Sequence, residues 1–259
     1  MNRREFMTFT AAGLASSALG MRLGNAGRDD LKTKIKAVAF DAFPIFDPRP
    51  VFALAEELFP GNGSALSDEW RTRQFEYTWL RVVAQQYADF WKVTEDALVF
   101  AANKLKLELS AEKREKLMSA HLNLKAWPDV PPALSALKQS GLRLAFLSNF
   151  TQHMLQANIK SAGLSSIFEE VISSDQARTF KPDPRAYQLG IESLQLERNQ
   201  ILFVAFAGWD AAGARLFGYP TFWVNRLKSP AEELGAVPDG SGGSLLDLVQ
   251  FLQTNATSR

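Results

Sequence analysis

Lys34-Ile35-Lys36-Ala37-Val38-Ala39-Phe40 is a short β-rich run stopped by Asp41. Near-continuous apolar runs of this length mark strands covered on both faces, as in a parallel sheet. Similar runs recur. Leu142-Arg143-Leu144-Ala145-Phe146-Leu147 precedes Ser148-Asn149, Ile201-Leu202-Phe203-Val204 precedes a turn, and Thr221-Phe222-Trp223-Val224 follows Gly218-Tyr219-Pro220. A shorter strand is expected around Val171-Ile172. Helices with legible ends lie between them. Asp183 is a good N-cap with Pro184 at the first helical position for residues 185–194, Gly141 ends a helix over 132–140, and Gly163 ends one over 153–162. This alternation predicts an α/β fold: a doubly wound parallel sheet with a Rossmann-like core, built from residues 34–50 and 128–259.

Residues 51–127 contain no convincing strand and read as an inserted helical cap. Phe75, Trp79, Val82, Val83, Tyr87 and Phe90 recur at helical spacing, and Ser110 with Glu112 opens another amphipathic helix through Leu117 and Leu122. Ligands of open α/β sheets bind at the carboxyl ends of the strands, so a cap placed there would close the site from water. Only 235–243 reads as a flexible loop.

The chain has 259 residues, enough for one large domain or one domain with an insertion. Lys plus Arg number 29 against 28 Asp plus Glu, so no global positive field makes nucleic acid the default partner. Cysteine is absent, which removes disulfides, thiolate nucleophiles and thiolate metal sites. At the N-terminus, Arg3-Arg4 precedes a weakly apolar run of small residues from Phe6 to Gly20, too short to span a bilayer. Residues 1–27 read as a twin-arginine-type signal segment, which implies export to the periplasm without a stable membrane anchor.

Four polar elements are expected at strand exits: Asp41, Ser148-Asn149, Lys181-Pro182-Asp183 and Trp209-Asp210. Singly, each is as readily a turn former or a helix cap. As an ordered set with Trp70-Arg71-Thr72-Arg73-Gln74-Phe75-Glu76-Tyr77-Thr78-Trp79-Leu80-Arg81 and Thr94-Glu95-Asp96-Ala97-Leu98, they resemble the haloacid dehalogenase superfamily and, within it, the (S)-2-haloacid dehalogenase (type II) branch. The resemblance covers about residues 34–252. It implies a hydrolase acting on carbon–halide bonds of small 2-haloalkanoic acids through an aspartyl ester, with neither metal nor cofactor. It casts Asp41 as nucleophile, Lys181 as its cation, Asp210 as the holder of Lys181, and Arg71 as the cap group that meets the departing halide. Ser148 and Asn149 would bind the substrate carboxylate, with Phe43, Phe75, Phe90 and Trp209 as walls. The expected partner is therefore a small carboxylate, and the resemblance leaves a homodimer open.

The chain departs from that pattern in two places. The family reads Asp-x-Tyr-Gly-Thr-Leu from the nucleophile onward, whereas Asp41-Ala42-Phe43-Pro44-Ile45-Phe46 lacks the tyrosine hydroxyl, runs one residue shorter before Phe46-Asp47, and loses a backbone N–H at Pro44. The family's Ser-x-Asn, which positions the hydrolytic water, is Ala205-Phe206-Ala207 here. A relative that binds small carboxylates with impaired turnover is the alternative. A magnesium phosphatase is disfavoured, because Phe43 and Ala205 stand where its acidic residues are needed. His121 and His153 read as surface or helix residues.

Overall fold

The computed structural model describes residues 34–253; the signal expected over 1–27 lies outside them. Among the described residues, β1 (Ala37–Phe40), β4 (Arg143–Ser148), β5 (Glu170–Ser173), β6 (Ile201–Ala205), β7 (Thr221–Val224) and β8 (Gly240–Gly242) form the central parallel sheet. Their order across it is β5-β4-β1-β6-β7-β8. Phe40 pairs with both Phe146 and Val204, so the carboxyl ends of β1, β4 and β6 lie side by side. This register brings the residues after those strands to one edge. The apolar runs of β1 and β6 are buried throughout, as two-sided coverage requires.

On one face pack α5 (Val130–Gln139), α6 (Gln152–Ser161) and α9 (Leu245–Gln253), in a core that continues into the inserted helices. On the other, α7 (Pro184–Leu194) and α8 (Gly208–Phe217) cover Ala37, Ala39, Phe203 and Ala205. The Asp183 carboxylate caps α7 by accepting from Arg185 N–H at 2.9 Å, with Pro184 at its start.

The insertion is entered and left through a small antiparallel pair, β2 (Phe46–Asp47) and β3 (Lys125–Ala126). It holds α1 (Arg49–Leu58), α2 (Gly63–Val83), α3 (Phe90–Lys104) and α4 (Ala111–Ala120). The Phe75-to-Phe90 repeat is not one helix. α2 stops at Val83, which is 84% exposed, and Asp89 starts α3 afresh by accepting from Lys92 N–H at 2.8 Å. Ser110 caps α4 as expected, but the helix ends before Leu122. The segment expected to be a loop at 235–243 contributes β8. Asp239 ties it to the sheet by accepting from Thr221 N–H and Arg215, and Gly240 and Gly242 allow an approach that a Cβ would block at 2.7 Å from Phe251 and 2.3 Å from Asp247.

Candidate active site

Asp41 leaves β1 at the sheet edge with its side chain 13% exposed. Its carboxylate is held unequally. Oδ1 accepts from Lys181 Nζ at 2.9 Å and from Ser148 Oγ at 3.1 Å, while among the described residues Oδ2 accepts only from Phe43 N–H at 3.2 Å. The tight turn after Asp41, in which Ile45 and Phe46 N–H both donate to Ala42 O, keeps this donor in place despite Pro44. Ser148, the residue expected to meet a substrate carboxylate, donates to Asp41, because β1 and β4 are neighbours in register.

Lys181 is 1% exposed and lies between two carboxylates, donating to Asp210 Oδ2 at 2.6 Å as well as to Asp41. Burial alone would lower the Lys181 pKa, but Asp210 and Asp41 outweigh it and hold it above its ordinary value. Asp210 lies in the first turn of α8 and does not cap it; Ala207 occupies the N-cap with no side-chain bond. Burial pushes Asp210 up to about 6, against the lowering effect of Lys181. Its second oxygen accepts from the Tyr187 hydroxyl at 2.7 Å. Nothing in the local sequence marks Tyr187 as a functional residue. Its signal was the spacing of Tyr187, Gly190 and Leu194 along the buried face of α7.

Asn149 holds the backbone of Lys181 with its side-chain amide. Its Oδ1 accepts from Lys181 N–H at 2.9 Å and Ser174 Oγ at 3.1 Å, which fixes the Lys181 loop and leaves the buried Nδ2 without a partner among the described residues. A cavity of about 430 Å³ adjoins these groups, lined by Asp41, Ser148, Asn149 and Asp210 from the core and by Arg71, Phe75 and Phe90 from the cap. Phe43 lies edge-on to Phe150, and Phe90 stacks on Phe150. Trp209 meets Phe75 at 5.2 Å and Trp79 at 5.6 Å, joining core to cap. Arg71 lines the cavity but is 47% exposed, 3.9 Å from Asp68, and is not brought into contact with Asp41.

The histidines divide. His153 lines a separate surface cavity. His121, expected at the surface, is buried against Trp70 at 5.0 Å and lines the main cavity, because α4 turns its C-terminus into the cap core. Burial lowers its pKa to about 4 even though Nδ1 lies 3.1 Å from Leu117 O. Among the described residues no group of three His, Asp or Glu side chains is placed to hold a metal ion. The Lys181 ammonium takes the space between Asp41 and Asp210, and Phe43 and Ala205 offer no side-chain oxygen.

A family model described as haloacid dehalogenase-like hydrolase matches residues 35–218. The chain is 43% identical over 223 residues to an (S)-2-haloacid dehalogenase of Pseudomonas sp. (strain YL), covering 86% of this chain and 96% of that one. It is 41% identical to haloacetate dehalogenase H-2 of Moraxella sp. (strain B), over 80% of this chain and 92% of that one. The structure of the L-2-haloacid dehalogenase from Xanthobacter autotrophicus with chloropropionic acid covalently bound superposes with a TM-score of 0.79 at 34% identity, covering 86% of this chain and all of that one. With its six-stranded parallel sheet and inserted helical cap, the chain belongs to the haloacid dehalogenase-like hydrolases.

Proposed function

We propose that the protein hydrolyses the carbon–halide bond of small (S)-2-haloalkanoic acids through an ester on Asp41, without a metal. The observation that carries this reading is the unequal hold on Asp41. Oδ1 is fixed by Lys181 and Ser148, whereas Oδ2 has one long backbone donor and adjoins an aromatic-walled cavity. A carboxylate attacks well only when oriented and stripped of water, and both conditions hold beneath the cap. Oδ2 attacks C2 from the side opposite the halogen, the carbon–halogen bond breaks, and the halide leaves toward Arg71 and the Nδ2 of Asn149, whose donors match its growing charge. Oδ1 becomes the ester carbonyl oxygen, already facing Lys181 Nζ and Ser148 Oγ, which stabilise it as it turns anionic when water adds.

The names of the relatives support the substrate class, and the covalent chloropropionic acid in one related structure supports an ester route. Halide release from (S)-2-chloropropanoate, with and without EDTA, tests the reading. Release should be insensitive to chelation, and a single turnover in ¹⁸O-water should label the Asp41 peptide. Phosphate-ester hydrolysis dependent on Mg²⁺ would overturn the proposal. Absence of both halide and adduct across several 2-haloacids would leave a protein that binds small carboxylates without turnover.

Export to the periplasm is part of the same proposal, supported by Arg3-Arg4 and the small-residue run behind them. No helix among the described residues is long and apolar enough to cross a membrane.

A further inference from the structure

The plane of a carboxylate is set only when both of its oxygens are held. Lys181 and Ser148 hold Oδ1 of Asp41, so among the described residues the Phe43 N–H at 3.2 Å is the one contact that directs Oδ2. That N–H belongs to the turn over residues 42–46, which Pro44 leaves without a donor at its middle. The turn is buried at Ala42 and over residues 44–46, so its carbonyls need partners from the protein. Trp127 and Arg226 supply them. Trp127 Nε1 donates to Phe43 O at 3.0 Å and to Phe46 O at 3.1 Å, and Trp127 N–H donates to Ile45 O at 3.1 Å. Arg226 Nη2 donates to Pro44 O at 3.0 Å. The Arg226 side chain is 8% exposed, and its guanidinium lies 4.5 Å from the centre of the Trp127 ring. Asp129 accepts from Nη1 and Nη2, each at 2.9 Å, and from Leu245 N–H at the start of α9, at 2.7 Å. The planar fork of an arginine can grip a carboxylate, stack on an indole and still spare an N–H for a carbonyl, which a lysine cannot. Arg226 itself does not line the cavity that adjoins Asp41.

We infer that Arg226 is a positioning residue for the first half-reaction; this rests on the ester reading above. Asp129 and the Trp127 ring fix the guanidinium. The guanidinium and the Trp127 indole then fix the carbonyl side of the turn, and the turn aims the Phe43 N–H at Oδ2. With Oδ2 so directed, its lone pair meets C2 opposite the halogen, the Oδ2–C2 bond forms, and the electron pair of the carbon–halogen bond leaves with the halide. Misplacing an attacking atom by about 1 Å costs on the order of 10²-fold in rate. Once the ester exists, Oδ2 is bonded to C2, and Oδ1 on Lys181 and Ser148 governs the attack of water. The clamp therefore bears on formation of the ester more than on its hydrolysis.

Rapid-quench measurement of first-turnover halide release and of the Asp41 adduct, on the full chain over a range of (S)-2-chloropropanoate concentrations, tests the assignment. Arg226→Met keeps much of the packed bulk and removes every donor. Its first-turnover halide release should be slowed about 10–10²-fold, with the half-saturating substrate concentration and the rate of adduct decay within about threefold of native. Arg226→Lys, which keeps a donor toward Pro44, should recover part of the lost rate, a rescue that filling space alone would not give. Hydrogen exchange in the peptide over residues 41–47 should quicken in R226M while the peptide around Lys181 stays native. Should R226M fail to fold, Asp129→Asn, which loosens the guanidinium without removing it, should give the same selective slowing in smaller measure. Halide release in R226M within about twofold of native, equal slowing of release and decay, or equal rates in R226K and R226M would overturn the assignment. A native protein that forms neither halide nor adduct would overturn the ester reading and this assignment with it.

Discussion

Tyr187 donates to the one Asp210 oxygen that Lys181 does not use, and thereby favours the ionised carboxylate. Burial pushes Asp210 up to about 6, so below that pH it binds a proton and its grip on Lys181 loosens. Tyr187→Phe removes a donor to the carboxylate and raises the Asp210 pKa further. The acid limb of kcat/KM should therefore move to higher pH, with a several-fold loss near pH 6.5 and little change near pH 9, as a pH–rate profile would show. An unmoved limb would mean that Asp210 does not set it. For His121 the shift bears on stability. Its folded pKa of about 4 lies below its ordinary 6.5, so between these values the unfolded chain binds more protons and stability falls as pH falls. Urea melts of His121→Gln against the native protein should converge toward pH 4.5, because the variant has no such proton to take up. A constant gap from pH 7.5 to 4.5 would contradict the buried, neutral histidine.

At the scale of elements, the catalytic triangle depends on how α7 and α8 meet. Gly213 of α8 sits where a Cβ would lie 2.7 Å from both the Tyr187 hydroxyl and the Pro182 side chain. Gly213→Ala should therefore destabilise the fold by about 1–3 kcal/mol, typical of overpacking, and lower kcat by displacing Tyr187 and the Lys181 loop together. Lower kcat with an unchanged urea midpoint would show that the helices absorb the methyl without strain. On the cap side, α2 presents Trp70, Arg71, Gln74 and Phe75 to the cavity at helical spacing, and Trp209 of α8 meets Phe75 and Trp79 across it. Trp209→Ala removes this bridge. KM for 2-haloacids should rise about tenfold or more as the cap loses its anchor, while circular dichroism of the folded protein stays native. An unchanged KM would assign cap closure to other contacts.

At the scale of the molecule, export is testable on the full precursor. Replacing Arg3 and Arg4 with Lys preserves charge but removes the pair that the twin-arginine route reads, and should strand the precursor in the cytoplasm on fractionation. Arrival in the periplasm at the native rate would reject the signal. Five of the six sheet strands and the order of Asp41, Ser148, Lys181 and Asp210 at their exits were legible in the chain itself, whereas β8, a Gly-Ser-Gly stretch with no apolar run, was not. Burial on both faces of a sheet writes a continuous apolar run, and a polar residue ending such a run marks the sheet's edge. Asp183-Pro184 likewise showed where α7 begins, because capping is a local property. Tyr187 and His121 were not legible in this way. A residue's pattern records whether its own element favours core or water, not which distant element meets it. Only the packed arrangement sets Tyr187 against Asp210, 23 residues away, and turns His121 inward against Trp70. Those contacts follow from parallel strand order and close packing of whole helices, which no local stretch of sequence encodes.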